Sequence, residues 1–314
     1  MQGYSAIFIY MNTRFLLSLL LCSTLAANAQ SLTNPVLDRD FPDPTVIRIH
    51  GKYYAYATQG RGHIQVSVSE DMQHWSDPAD ALPVKPVWAD KHFWAPHVLY
   101  DPSMQKYVLF YSGESTDTTT GKCLGVAYAS QPEGPFTDKG SPLICGEGFE
   151  HIDPMAFIDP QTGKKLLYWG SGFKPIRVQE MKDDWSDFKQ GSKPVPVVWP
   201  GKEKNYTRLI EGAWLDYHEG KYYLYYSGDN CCGVNANYAV LVSRADHAEG
   251  PFESGGVILE KDSVWLAPGH NSVFKDAQGN NHIAYHAIHR QKGGGRVFCI
   301  SSLIYRNGWP VVKP

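Results

Sequence analysis

The sequence predicts an all-β fold, a five-bladed β-propeller forming a single domain over residues 30–314. One eight-residue motif, turn residues followed by an alternating aromatic strand, recurs as GKYYAYAT (51–58), QKYVLFYS (105–112), GKKLLYWG (163–170), GKYYLYYS (220–227) and GNNHIAYH (279–286). Its copies start 54, 58, 57 and 59 residues apart, and a near-constant period of that length marks a repeat architecture. The chain is also rich in strand formers, with 19 Tyr and 9 Trp, while helix-favouring blocks of Ala, Glu, Lys and Leu are scarce. A repeat of about 57 residues carrying three or four short antiparallel strands is a propeller blade. A two-sheet sandwich is the competing architecture, and it leaves a period kept five times unexplained.

Each blade is built in the same order. An apolar strand comes first: PTVIRI, APHVLYD, PMAFID, GAWLDY and HNSVFK. The aromatic motif follows, its period-2 alternation marking a strand and its Gly, Asp or Asn marking the turn before it. Four copies continue into a third strand with a small polar cap, as in IQVSVSEDMQHWS and LGVAYASQPEGPF. The fifth runs into RVFCISSLIYRNGWPVV.

Composition narrows the class. The chain has 314 residues, 43% hydrophobic and 19% charged, with a net charge of −3. A balanced charge without runs argues against nucleic acid as a partner, and no segment is long and apolar enough to span a membrane. A leader is expected over residues 1–29, with Met11 a candidate true start. Arg14 lies in its n-region, Phe15 to Leu25 form the apolar core, and Ala27-Asn28-Ala29 is the cleavage site. The expected destination is export, periplasmic or extracellular. Cys22 raises a lipoprotein alternative, which the large Leu21 before it disfavours. Five cysteines follow the leader, an odd number, so no complete disulfide framework is expected. Cys123 and Cys145 are open to pairing in an oxidising compartment. Adjacent Cys231 and Cys232 are either a vicinal disulfide or free thiols.

In a propeller the first strand of each blade lines the central channel, and one mouth collects the same end of all five. The residues at that end are Asp43 in PDPTV, Trp94 in FWAPHV, Asp153 in HIDPMAF, Glu211 in IEGAWL and His270 in PGHNSVF. Three carboxylates and a histidine thus converge from distant points in the chain. Like charges in a partly desolvated funnel raise at least one pKa, and separated carboxyl pKa values are what acid/base chemistry near neutral pH requires. Asp101, Asp159 and Asp276, at the far end of the same strands, are expected to be hairpin-turn residues without chemistry. Asp38 and Asp40 are also expected to be turn residues.

The stretches RDFPDPTVIRIHGKYYAYAT, WAP, HIDPMAFIDPQTGKKLLYWGS, IEGAWLDYHEGKYYLYYS and GHNSVFKD closely resemble glycoside hydrolase family 43, over essentially the whole chain after the leader. The resemblance implies inverting hydrolysis of arabinose or xylose linkages in plant cell-wall polysaccharide, with no cofactor required for the chemistry. It matches Asp43 to the general base, Glu211 to the general acid, and Asp153 to the residue that tunes and orients the acid. It also matches His270 to a channel histidine near a bound calcium or other ion. The residues agree with those roles. A base must stay ionised and placed, which suits Asp43 between two prolines. An acid needs a raised pKa, which suits Glu211 beside Ala213 and Trp214 and near the charge of Asp153. An inverting pair is expected roughly 6.5–9.5 Å apart.

Around the mouth, Phe93, Trp94, Trp169 and Trp214 are candidate sugar-stacking faces, each with core packing as the alternative. Arg290 and Arg296, flanking Gly293-Gly294-Gly295, are candidates to reach a substrate hydroxyl, and His92 and Asn205 fall near the rim. The NCCG loop (230–233) is expected either beside the mouth or away from it. The expected enzyme is an exported monomer acting on arabinan or arabinoxylan-type oligosaccharide, cleaving α-L-arabinofuranosyl linkages by endo or exo action. A β-xylosidase is the alternative within the family, and a non-catalytic carbohydrate-binding propeller the alternative outside it.

Overall fold

The computed structural model describes residues 32–117, 119–202 and 206–313, together with Met1 and Gly3. The rest of the expected leader, Cys22 included, and Asn205 lie outside the described residues. No helix occurs among the described residues, and therefore none is long and apolar enough to cross a membrane.

From residue 32 onward the chain forms five antiparallel sheets arranged as a β-propeller. Blade one comprises β1 (Thr45–Ile49), β2 (Lys52–Ala57), β3 (Gln65–Ser69) and β4 (Ala79–Asp80). Blade two comprises β5 (Ala89–Asp101), β6 (Lys106–Ser115), β7 (Lys122–Ala129), β8 (Thr137–Asp138) and a short extra strand β9 (Ile144–Gly146) paired to β7. Blade three runs through β10 (Met155–Ile158), β11 (Lys165–Trp169), β12 (Ile176–Glu180) and β13 (Val195–Val198). Blade four contains β14 (Ile210–His218), β15 (Lys221–Asn230), β16 (Asn237–Ala245) and β17 (Glu253–Leu259). Blade five contains β18 (Trp265–Lys275), β19 (Asn281–His289), β20 (Val297–Arg306) and β21 (Trp309–Lys313). The five first strands touch one another in a closed cycle, β1 to β5, β10, β14, β18 and back to β1.

Local sequence sets these hairpins. Between β14 and β15 the two-residue turn Glu219–Gly220 has positive φ at both positions, the turn whose twist matches paired strands. At the far end of the innermost strands Asp101, Asp159 and Asp276 each accept the amide two residues on, from Ser103, Gln161 and Gln278. They are turn-forming residues, as their position in the repeat predicts.

The aromatic faces pack between blades. Tyr56, Trp88, Tyr111 and Phe136 fill the boundary of blades one and two, while Phe110, Trp169 and Trp185 fill that of two and three. Tyr168, Tyr225 and Tyr285 belong to a cluster spanning blades three to five. Residues 34–41 close the ring by lying along β20: Val36 and Phe41 donate amides to the carbonyls of Phe298 and Arg296, and Asn34 bonds both the amide and the carbonyl of Ile300. Cys123 and Cys145 form a disulfide joining β7 to β9. Cys231 and Cys232 are bonded to each other, and Cys299 is a buried free thiol.

Candidate active site

One backbone feature marks the mouth. Asp43, Ala95, Asp153, Gly212 and His270, one at the channel end of each innermost strand, all have left-handed φ between 46° and 62°. Their amides find acceptors on the preceding blade rather than in their own sheet. The Asp43 amide nitrogen lies 3.1 Å from His286 Nδ1 of blade five. Ala95 donates to Thr58 Oγ1 of blade one at 2.9 Å, and Asp153 to Ser112 Oγ of blade two at 2.9 Å. Gly212 donates to Asp153 Oδ2 of blade three at 3.1 Å, and His270 to Ser227 Oγ of blade four at 2.8 Å. The five bonds form a closed ring.

Thr58, Ser112, Ser227 and His286 are the last residues of the recurring motif. Blade three ends its motif in Gly170, which has no side chain, and there the carboxyl of Asp153 serves as the acceptor instead. Gly212 is required at its position: a Cβ would lie 3.2 Å from the His270 ring, on a backbone that side chains rarely adopt. The strict structural equivalents are therefore Ala95 and Gly212, and Trp94 and Glu211 each sit one residue before them.

Asp43, Trp94, Asp153, Glu211, His270 and Arg296 line a single cavity of about 290 Å³, near the lower end of the roughly 300–1,000 Å³ usual for small-molecule sites. A larger cavity of about 740 Å³ beside blade one holds none of the three carboxyls. Its Arg39 and Asp77 pair with each other at 3.0 Å, so size does not locate the chemistry.

The three carboxyls differ in environment. Asp43 Oδ2 accepts the Thr58 hydroxyl at 2.5 Å, and Oδ1 accepts Arg296 Nη1 at 3.1 Å. Burial alone would raise its pKa; the Arg296 charge, with His270 and His286 adding, outweighs burial and holds Asp43 well below the usual carboxylate range. Glu211 accepts the Ser171 hydroxyl and the Tyr238 phenol at 2.8 Å. Burial nevertheless raises its pKa, helped by the negative charge of Asp43. Asp153 is raised well above the usual range, first by burial and then by Glu211 and Asp43. The expected influence of Asp153 on Glu211 is thus mutual. Two buried carboxyls whose ionisations oppose each other retain a proton that an ordinary carboxyl would lose.

His270 Nδ1 stands 3.4 Å from Asp43 and 3.8 Å from Asp153, and burial lowers its pKa. Burial also takes His286 down to about 4, so its ring is neutral at neutral pH. Its Nδ1 is 3.1 Å from the amide and 3.2 Å from Oδ1 of Asp43, and the tautomer selects which of the two it bonds.

Several sequence candidates lie elsewhere. Phe93 is buried, edge-on to His63 at 4.8 Å. Trp169 is fully buried and donates its indole N–H to His151. Both are core residues, because alternating strands send every second aromatic between blades. Trp214 packs on His97 at 5.1 Å and lines a different groove. Arg290 is held outward by the Asp262 carbonyl at 2.6 Å, and His92 Nδ1 lies 2.5 Å from Glu114 beneath the Trp94 ring. Asp40 does more than form a turn: it accepts the Arg296 amide at 2.8 Å and so places that arginine. For the ion expected near His270, no three His, Cys, Asp or Glu side chains among the described residues are grouped to hold a metal. The calcium expectation finds no support, and no step is derived through an ion.

Sequence reading missed Thr58, Ser171, Tyr238 and His286, the polar partners of the carboxyls, and Phe149, Cys231 and Cys232, which also line the cavity. A signal existed for most of them. In an antiparallel hairpin the second strand ends beside the start of the first, and Glu211 is paired with Ser227. Whatever follows the aromatic motif, the NCCG loop included, therefore lies at the mouth.

A family model described as glycosyl hydrolases family 43 matches residues 32–310. The chain is 27% identical to the Beta-D-galactofuranosidase xynD of Aspergillus niger, over 93% of this chain and 87% of that one. It is also 27% identical to the Xylosidase/arabinosidase 43A of Humicola insolens, over 80% and 89%. The crystal structure of an exo-1,5-alpha-L-arabinanase from a bovine ruminal metagenomic library superposes with a TM-score of 0.75 at 25% identity, covering 90% of this chain and 100% of that one.

Proposed function

The chain belongs to glycosyl hydrolase family 43 and is a glycoside hydrolase of arabinanase and xylosidase type; from that membership we propose that it cleaves α-L-arabinofuranosyl linkages of arabinan with inversion at the anomeric carbon. One observation carries the proposal: a single cavity holds one carboxyl kept ionised and two kept partly protonated.

In this reading Asp43 is the general base. Fixed by Thr58 and Arg296, it takes a proton from a water, whose oxygen attacks the anomeric carbon as the glycosidic bond breaks. Glu211, the general acid, gives its proton to the departing oxygen from the other side. Asp153 is a positioning residue: it accepts the Gly212 amide, which fixes the backbone next to Glu211, and its ionisation opposes that of Glu211. Solvent then returns a proton to Glu211 and removes one from Asp43. Trp94 supports the reading as an apolar face for the sugar in the same cavity.

Membership in a family with relatives named for xylosidase activity keeps β-xylosidase as the second reading. Export is part of the proposal, and the Cys123–Cys145 disulfide supports an oxidising compartment. The test is product analysis on linear arabinan, branched arabinan and xylo-oligosaccharides, with the first-formed anomer read by NMR. Arabinose alone means exo action and arabino-oligomers mean endo action. Release of xylose only would reject the arabinan reading, and retention of configuration would reject the inverting mechanism.

A further inference from the structure

The NCCG loop reaches the mouth because β15 runs up beside the start of β14. Asp229 donates its amide to the Leu209 carbonyl, two residues before Glu211, so the loop that follows stands next to the proposed acid. Cys231 and Cys232 line the catalytic cavity with Asp43, Asp153 and Glu211. They also line a second cavity of about 450 Å³, together with Phe149, Leu209, Val234 and Glu211. The two cavities share Phe149, Glu211, Cys231 and Cys232. Glu211 is the only one of the three carboxyls on the second cavity.

That asymmetry assigns the second cavity a role. A general acid must face the oxygen that leaves, so the group bonded to that oxygen departs on the Glu211 side. The cavity with Glu211 and without Asp43 or Asp153 is where the leaving group fits. Its walls suit the apolar face of a sugar. Phe149 and Val234 are large apolar residues left exposed. Phe149 stacks on Trp94 at 6.4 Å and 6°, which continues one aromatic surface from the catalytic cavity into the second. Two bonded sulfurs add a compact, polarisable, uncharged surface. Asp229, Asn230 and Asn235 supply polar groups at its margin.

Resting on the functional reading above, we propose that the Cys231–Cys232 unit, with Phe149 and Val234, is the platform for the sugar residue on the leaving side of the cleaved bond. It is a specificity-determining element that favours oligosaccharide over small leaving groups.

The test compares two substrates with the same arabinose unit. One is α-1,5-arabinotriose; the other is α-L-arabinofuranosyl fluoride, whose leaving group is a single atom. In the Cys231→Ser/Cys232→Ser variant, and separately in Val234→Ser, the ratio of kcat/KM on trisaccharide to that on fluoride should fall, by about 10-fold for the double variant, the discrimination that a lost apolar contact supplies. The loss should appear mainly in KM for the trisaccharide. An unaltered ratio in both variants, with thermal melts showing them folded, would overturn the proposal. The β-xylosyl pair of the same design reads the same ratio if the accepted sugar is xylose, so a wrong arabinose assignment shows as a change of active pair and not as a constant ratio. Wild-type protein inactive on both pairs would reject the functional reading and the platform together.

Discussion

Asp43 is held by four neighbours from three blades: Thr58 on its own blade, His270 and His286 on blade five, and Arg296 beside them. Its lowered pKa and the raised pKa of Glu211 place the two limbs of the activity profile far apart. Activity rises as Asp43 ionises at low pH and falls when Glu211 loses its proton. Asp43→Asn and Glu211→Gln should each lower kcat by about 10²–10⁴-fold, the contribution of general acid/base catalysis, while the thermal melt stays cooperative. Near-wild-type turnover in either would remove its assigned role. Asp153→Asn keeps an acceptor for the Gly212 amide and removes the opposing charge. Glu211 should then ionise more easily, and the descending limb of kcat/KM should move to lower pH. The same variant bears on stability. Asp153 is raised above its ordinary 3.8, so its contribution is favourable below that pH and is lost as pH rises through the folded-state value. The Tm of Asp153→Asn relative to wild type should therefore improve between pH about 4 and about 8.

At the scale of the strand, the last position of the aromatic motif has two tasks. Its backbone closes a hairpin, and its side chain caps the left-handed amide of the next blade. Ser112 shows the second task alone: its hydroxyl accepts the Asp153 amide and is fully buried. Ser112→Ala strands that amide in a dry site, which should cost about 1–3 kcal/mol in urea unfolding and loosen Asp153 as well. A loss of stability no larger than that of a surface serine variant would show the ring bond to be dispensable. The motif ends in Thr, Ser, Gly, Ser and His, and that pattern was visible in the chain. Its meaning was not, because the partner of each residue is on another blade 37 to 59 residues onward, or across the ring closure for His286.

Across the whole molecule, the ring depends on the segment before β1. Phe41 is fully buried and packs on Phe298 at 5.4 Å, while residues 34–41 run along β20. Phe41→Ala should cost about 3–5 kcal/mol, measured by urea unfolding. It should also lower activity, since Asp43 follows two residues later and Arg296 donates from the strand Phe41 bonds. A variant destabilised like an ordinary surface substitution would show that closure does not rest on this contact.

Sequence alone determined the five repeats, the strand order within each, and the convergence of Asp43, Asp153, Glu211 and His270 on one end of the channel. Period and alternation are local properties of a chain, and a repeat converts them into position. Only the tertiary structure decided which aromatics face the sugar. Trp94 and Trp169 look alike in sequence, yet one lines the cavity and the other is sealed between blades. Tertiary structure also decided that Arg296 and not Arg290 meets Asp43, and that Cys231 and Cys232 stand beside Glu211. These facts depend on contacts between blades, whose spacing and facing are set by packing across the ring and not by any one segment.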